Sequence, residues 1–239
     1  MLGPLLFLQR RVHFEIQAVL LLIFRRLDIV SVLFSLFFLP GVLIHEASHY
    51  IVARLVGVRT GRLSIIPNRM KDGRLQLGYV ETESTDILRD SLIGMAPLIF
   101  GGTAVTIIAR LHLGFDGFGI VFVDWSLATL QGAVAASIQT PDFWLWFYLL
   151  FAISSTMLPS ESDRSAWRML AFVVIGLLGI GLLIGIGPWM LANLGPKVND
   201  LFRALAVVFI VSILAHIVLL IPVFFIRMGL SSLLDMKVN

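Results

Sequence analysis

The chain has 239 residues, of which 58% are hydrophobic and only 14% charged, and its mean hydropathy is +0.95. A soluble domain of that make-up would expose too much apolar surface to stay dispersed, so a bilayer is the expected surrounding. The net charge of +3 is not gathered into a basic run with interleaved aromatics, which argues against a nucleic-acid partner, and the absence of cysteine excludes a disulfide framework and a thiolate metal site.

Taken in chain order, the N-terminus lacks the features of a cleaved signal peptide. Its first apolar run is short, and Arg10 and Arg11 follow rather than precede it. Residues 14–24 lie between Arg10-Arg11 and Arg25-Arg26 and read as a helix lying in the interface. Five stretches approach the roughly 20 apolar residues that a membrane crossing needs: 29–56, 91–109, 143–158, 169–190 and 204–226. Between the first two, residues 58–86 are crowded with charge. Leu63 and Ile65 alternate with polar neighbours, as do Leu75, Leu77 and Tyr79, and a turn sequence starts at Pro67-Asn68, so this segment reads as a β-hairpin at the membrane surface. The stretch 115–140 carries Asp116, Asp124 and Gln131, and its latter part, 124–138, is predicted to be an amphipathic surface helix. In the fourth span, Gly181-x-x-x-Gly185 is a pattern that lets helices approach closely in lipid. The expected architecture is an all-α polytopic membrane bundle of about five transmembrane helices with a small β-hairpin insert. Eleven of the eighteen Lys and Arg residues fall on the side opposite the N-terminus, which makes that side the expected cytoplasmic face.

The first span carries the chemistry. From Ile29 to Ala53 its only ionisable side chains are His45, Glu46, His49 and Tyr50. Residues four apart on a helix differ by about 40° in azimuth and about 6 Å in height, so His45 and His49 can converge on one tetrahedral ion. Glu46 is then placed to reach a water beside that ion. Burying two imidazoles and a carboxylate in hydrocarbon costs several kcal/mol unless they are paired, and a cation offsets that cost. Pro40 can bend the helix before the motif. A catalytic zinc site needs a third protein ligand and an open position. Topology brings the end of the third predicted span to the same side as His45, where Asp163 and Glu161 are candidates and Asp90 is a weaker one. His216 falls in the middle of the fifth span, where an imidazole more often bonds a neighbouring helix, and His112 falls near the opposite side.

These motifs resemble the site-2 protease class of intramembrane zinc metalloproteases. The likeness rests on His45-Glu46-Ala47-Ser48-His49, on Gly94-Met95-Ala96-Pro97, on a strand-rich insert after the first core helix, and on the Pro159-Ser160-Glu161-Ser162-Asp163 turn. It covers roughly residues 29–164. It implies an N-terminal interfacial segment over 1–28, a protease-like core over 29–164 with its insert at 58–86, and two added transmembrane helices in 165–239. It further implies Zn2+ held by His45, His49 and Asp163, Glu46 as catalytic base, and membrane-spanning protein substrates met by Ser155 or Thr156. The chain departs from the class in having Ser155 and Thr156 where an Asn is usual, four residues from Pro159 to Asp163 instead of five, and Phe100 near a position often held by Asn. The expected activity is regulated intramembrane proteolysis in a bacterial-type cytoplasmic membrane, with the site towards the cytoplasm. Two rivals are a protease-like regulatory subunit that does not cleave, and a transporter, although repeated halves and several intramembrane charges are not evident.

Overall fold

The structure is a computed structural model that describes residues 2–65, 67–69, 75–114, 126–164 and 166–236. It is mostly helical. The helices are α1 (Leu2–Phe24), α2 (Leu27–Leu55), α3 (Ile87–Leu111), α4 (Leu127–Ile138), α5 (Phe143–Thr156), α6 (Trp167–Leu183), α7 (Gly187–Asn193) and α8 (Gly195–Leu233). Three of them, α2, α3 and α8, are long and apolar enough to cross a membrane, while α5 and α6 are apolar but shorter. All five predicted spans thus fall on helices, and two of them stop short of a full crossing length.

Helices α2, α3 and α5 pack against one another, and α1 lies along α8, which in turn touches α3 and α5. One apolar cluster joins Leu5 of α1 to Val105 and Ile108 of α3, Leu150 and Ile153 of α5, and Val208 and Val211 of α8. A second joins Val12 to Phe34, Phe38 and Val42 of α2 and to Phe151 and Ala152 of α5. Residues on both sides of positions 28 and 164 therefore share the same clusters.

The helix predicted over 14–24 is longer than expected. It begins at Leu2, with Pro4 in the first turn, where a missing N–H disrupts no intrahelical bond. Its buried residues Leu5, Val12, Glu15, Ala18 and Leu22 recur at helical spacing and turn one face into the bundle. Arg10 and Arg11 do not interrupt it. The fully buried Glu15 pairs with Arg11 at 2.7 Å and with Arg227 of α8, so the buried carboxylate is compensated from both helices.

The predicted fourth span is also corrected. It does not run from 169 to 190 as one helix, because α6 ends at Leu183 and Gly185 adopts φ +83° before α7 begins with Pro188 in its first turn. Gly185 supplies the left-handed residue of a helix terminus, so it cannot serve in a helix–helix contact stripe. Of the surface helix predicted over 124–138, the structure shows a helix over 127–138, α4, capped by Ser126, whose hydroxyl accepts from Thr129 N at 3.1 Å. Asp124 and Asp116 lie outside the described residues.

The insert forms two short antiparallel ladders: β1 (Thr60–Ser64) with β4 (Tyr79–Thr82), and β2 (Asn68–Arg69) with β3 (Leu75–Gln76). In the first, Leu63 faces Val80 and Ser64 faces Tyr79, with a bulge between Thr60 and Leu63. This is the expected hairpin, bent into two pieces. Positions 70–74 of its turn lie outside the described residues.

Candidate metal centre

His45 and His49 stand one above the other on α2, and Asp163 reaches them from the turn after α5. His45 Nε2 and His49 Nε2 are 3.2 Å apart. Asp163 Oδ1 is 3.5 Å from His49 Nε2, and Oδ2 is 3.7 Å from His45 Nε2. The three side chains each offer one donor atom, and these atoms lie within 4.8 Å of one another.

Hydrogen bonds on the far side of each ring fix what those atoms are. His45 Nδ1 lies 2.6 Å from Thr156 O, and His49 Nδ1 lies 2.9 Å from Ile93 O. A carbonyl oxygen carries no proton, so each Nδ1 is a protonated donor, which leaves each Nε2 as the nitrogen that faces the cluster and can ligate in the neutral ring. With both Nε2 atoms unprotonated, two lone pairs 3.2 Å apart and facing a carboxylate repel one another, so the cluster calls for positive charge, either a proton on an imidazole or a metal cation. Zinc bonds of about 2.0–2.1 Å at tetrahedral angles set donors about 3.3 Å apart, close to the 3.2 Å between the two Nε2 atoms and the 3.5 Å from His49 Nε2 to Asp163 Oδ1. The donor set also suits zinc chemically: two imidazole nitrogens and one carboxylate oxygen, each oriented by a partner behind it.

The carbonyls that orient the rings are available for definite reasons. Thr156 ends α5, and the last carbonyls of a helix have no intrahelical N–H to accept from. Ile93 is four residues before Pro97 in α3, and proline has no N–H to give it. The proline therefore frees the one carbonyl that His49 uses.

Gly94, beside Ile93, lets the Asp163 turn approach. A Cβ at Gly94 would collide with the main-chain carbonyl of Asp163. The turn itself is held by Ser160 N donating to Asp163 Oδ2 at 2.7 Å and by Asp163 N donating to Ser160 Oγ at 3.2 Å. Burial pushes the Asp163 carboxyl up, but His45, His49 and Ser160 together pull it down more strongly, well below the usual carboxylate range. It is thus ionised at neutral pH.

Glu46 is buried beside the cluster but is not one of its donors. The segment between β3 and β4 passes over it, so closely that a Cβ on Gly78 would lie 2.9 Å from Glu46 Cγ and 3.0 Å from Oε1. The site opens into a cavity of about 680 Å³ that reaches from Asp163, His45 and Glu46 to Val42, Leu77 and His13.

The other sequence candidates fall as follows. Ser155 and Thr156 line the cavity, but their hydroxyls are engaged: Ser155 Oγ lies 3.0 Å from His216 Nε2, and Thr156 Oγ1 donates to Ala152 O at 3.2 Å. Thr156 meets the site through its carbonyl rather than its hydroxyl. His216 is buried and also bonds Ser212 O through Nδ1 at 2.7 Å, so it ties α8 to α5. Glu161 and Asp90 line the cavity without joining the donor cluster. His112 stacks on Trp146 at 3.6 Å, away from the site. Sequence reasoning passed over His13, Glu15 and Gln9 of α1. The Gln9 side chain donates to Ser155 O, and His13 lines the cavity. A polar residue every few positions in an otherwise apolar stretch was the available signal.

No protein-family model matches the chain, and neither a curated protein nor a solved structure matches it at a significant level.

Proposed function

We propose that this chain is an intramembrane zinc-dependent endopeptidase that cleaves transmembrane segments of membrane proteins. The observation that carries the reading is the convergence of His45 Nε2, His49 Nε2 and an Asp163 carboxylate oxygen, with Glu46 next to them and a cavity in front. Zinc, when bound there, would supply Lewis-acid polarisation of a carbonyl and a water of lowered pKa. Glu46 takes a proton from the attacking water as its oxygen bonds the carbonyl carbon. It returns that proton to the nitrogen as the C–N bond breaks. The Thr156 and Ile93 carbonyls hold the two imidazoles in the tautomer that ligates. The Leu77–Gly78 passage screens the carboxylate from bulk water.

A helical substrate hides its carbonyls in its own hydrogen bonds, so it must unwind to be cut. Leu77, Gly78, Tyr79 and Val80 line the cavity beside Glu46, where an unwound segment can add as a strand. The excess of Lys and Arg on the side opposite the N-terminus supports a cytoplasmic-facing site.

A second reading, a protease-like regulatory subunit that does not cleave, draws on two observations. Gly78 lies against Glu46, and the Ser155 hydroxyl is committed to His216. The experiment that separates the two is cleavage of a panel of membrane-spanning peptides by the full chain and by its Glu46→Gln form, both zinc-loaded. The peptidase reading expects cleavage by the first alone. A zinc-loaded wild type inert against the whole panel would favour the subunit reading.

A further inference from the structure

The cavity does not end at the metal donors. Its lining takes in Val42, three residues before His45 on α2, and His13 of α1, which packs on Phe38 one turn further along that helix and so marks the floor. The His13 ring meets Phe34 and Phe38 edge-on, with centroids 5.4 Å and 4.7 Å away. These contacts fix the ring plane and offer its nitrogens only a weak π face. His13 Nε2 is buried and has no hydrogen-bond partner among the described residues. Leaving such a nitrogen unpaired is costly, so it is expected to serve something that enters the cavity. The neighbouring hydroxyls of Ser155 and Thr156 are already engaged, so among the described residues lining the cavity His13 Nε2 is the buried side-chain polar atom left without a partner.

Phe38 precedes His45 by seven residues, about 10 Å along the helix axis. An extended peptide covers about 3.3 Å per residue, so about three residues span that depth. We propose that His13 is a substrate-positioning residue: its Nε2 hydrogen-bonds a main-chain amide of the unwound polypeptide, about three residues from the scissile bond on the side that enters the bundle. This rests on the peptidase reading above. It adds a subsite supplied by α1, a helix outside the part of the chain that carries the metal ligands.

The test measures binding, with no turnover. Full-length, zinc-loaded Glu46→Gln protein in detergent is titrated against a fluorescein-labelled Leu/Ala peptide of about 22 residues with a central Asn-Gly, and binding is read by anisotropy. A second probe is the same peptide cut short just past the Asn-Gly, so that it cannot reach the floor. His13→Phe removes the nitrogen and keeps an aromatic ring, and His13→Gln restores a hydrogen-bonding group. On the long probe, His13→Phe is expected to raise Kd about three- to tenfold and His13→Gln to recover most of the loss. On the short probe all three proteins should bind alike, with zinc content unchanged throughout. Equal Kd values on the long probe, or a loss of the same size on both probes, would overturn the proposal. Should protein with intact His13 hold zinc yet fail to bind the long probe, and fail to cleave it with Glu46 present, the peptidase reading itself falls and the subsite with it.

Discussion

Pro97→Ala isolates the reason that His49 points where it does. In the native helix Ile93 O has no helical donor, because residue 97 has no N–H, and it accepts from His49 Nδ1 at 2.9 Å. Alanine at 97 restores the main-chain N–H and places a competitor on that carbonyl. A carbonyl has two lone pairs, so the imidazole bond is weakened rather than abolished. A net hydrogen bond is worth about 0.5–1.5 kcal/mol, and loss of a residue that orients a ligand weakens metal binding by about 10–100-fold. The shared carbonyl puts the expected effect at the low end, about tenfold weaker zinc binding. The helix itself should not suffer. Replacing an interior proline by alanine relieves about 3 kcal/mol, against about 1.6 kcal/mol for two buried methylenes lost. Zinc affinity is read by competition with a chelator on the full chain in detergent, and thermal unfolding of the zinc-free protein serves as the stability control. Pro40→Ala is the matched control, since no histidine uses the carbonyl that Pro40 leaves free. Zinc binding by Pro97→Ala within twofold of wild type, in a folded protein, would refute the reasoning.

Further outcomes follow from the same packing. Gly94→Ala puts a methyl group into the Asp163 main-chain carbonyl, so it should displace the ligand turn and weaken zinc at least tenfold in the same competition assay. Arg227→Ala strands Glu15 with Arg11 alone and should lower stability by about 3 kcal/mol in chemical denaturation, whereas Glu15→Leu with Arg227→Leu should recover most of it. Ser155→Ala removes the partner of His216 Nε2 and should cost about 1–3 kcal/mol in the same experiment while zinc content stays at the wild-type level.

The donors were legible in the sequence because their constraint is local. Four-residue spacing on an apolar helix aims His45 and His49 at one point wherever the helix packs. Asp163 needed more. Counting crossings put it on the same side as His45 together with Glu161 and Asp90, the resemblance to a known class chose among them, and among the described residues the structure joins Asp163 to the imidazoles. The partners behind the ligands were not legible. Pro97 announces a free carbonyl at Ile93, but which side chain takes it depends on how α2 crosses α3. The N-terminal helix was underestimated because Arg10 and Arg11 look like the end of an apolar run, and Arg227, the cation that with Arg11 pairs the buried Glu15, lies 212 positions away from that glutamate. The break after Leu183 was missed because Ile184-Gly185-Ile186-Gly187 is apolar throughout, and hydropathy does not register a positive φ.

The most direct measurement is zinc stoichiometry in the purified full chain, with each donor and Glu46 varied in turn. One zinc per chain is expected in the wild type and in Glu46→Gln, with less than a tenth of that in His45→Ala, His49→Ala and Asp163→Ala. A wild type that binds no zinc, or an Asp163→Ala form that retains it in full, would contradict the assignment of His45, His49 and Asp163 as a single metal centre.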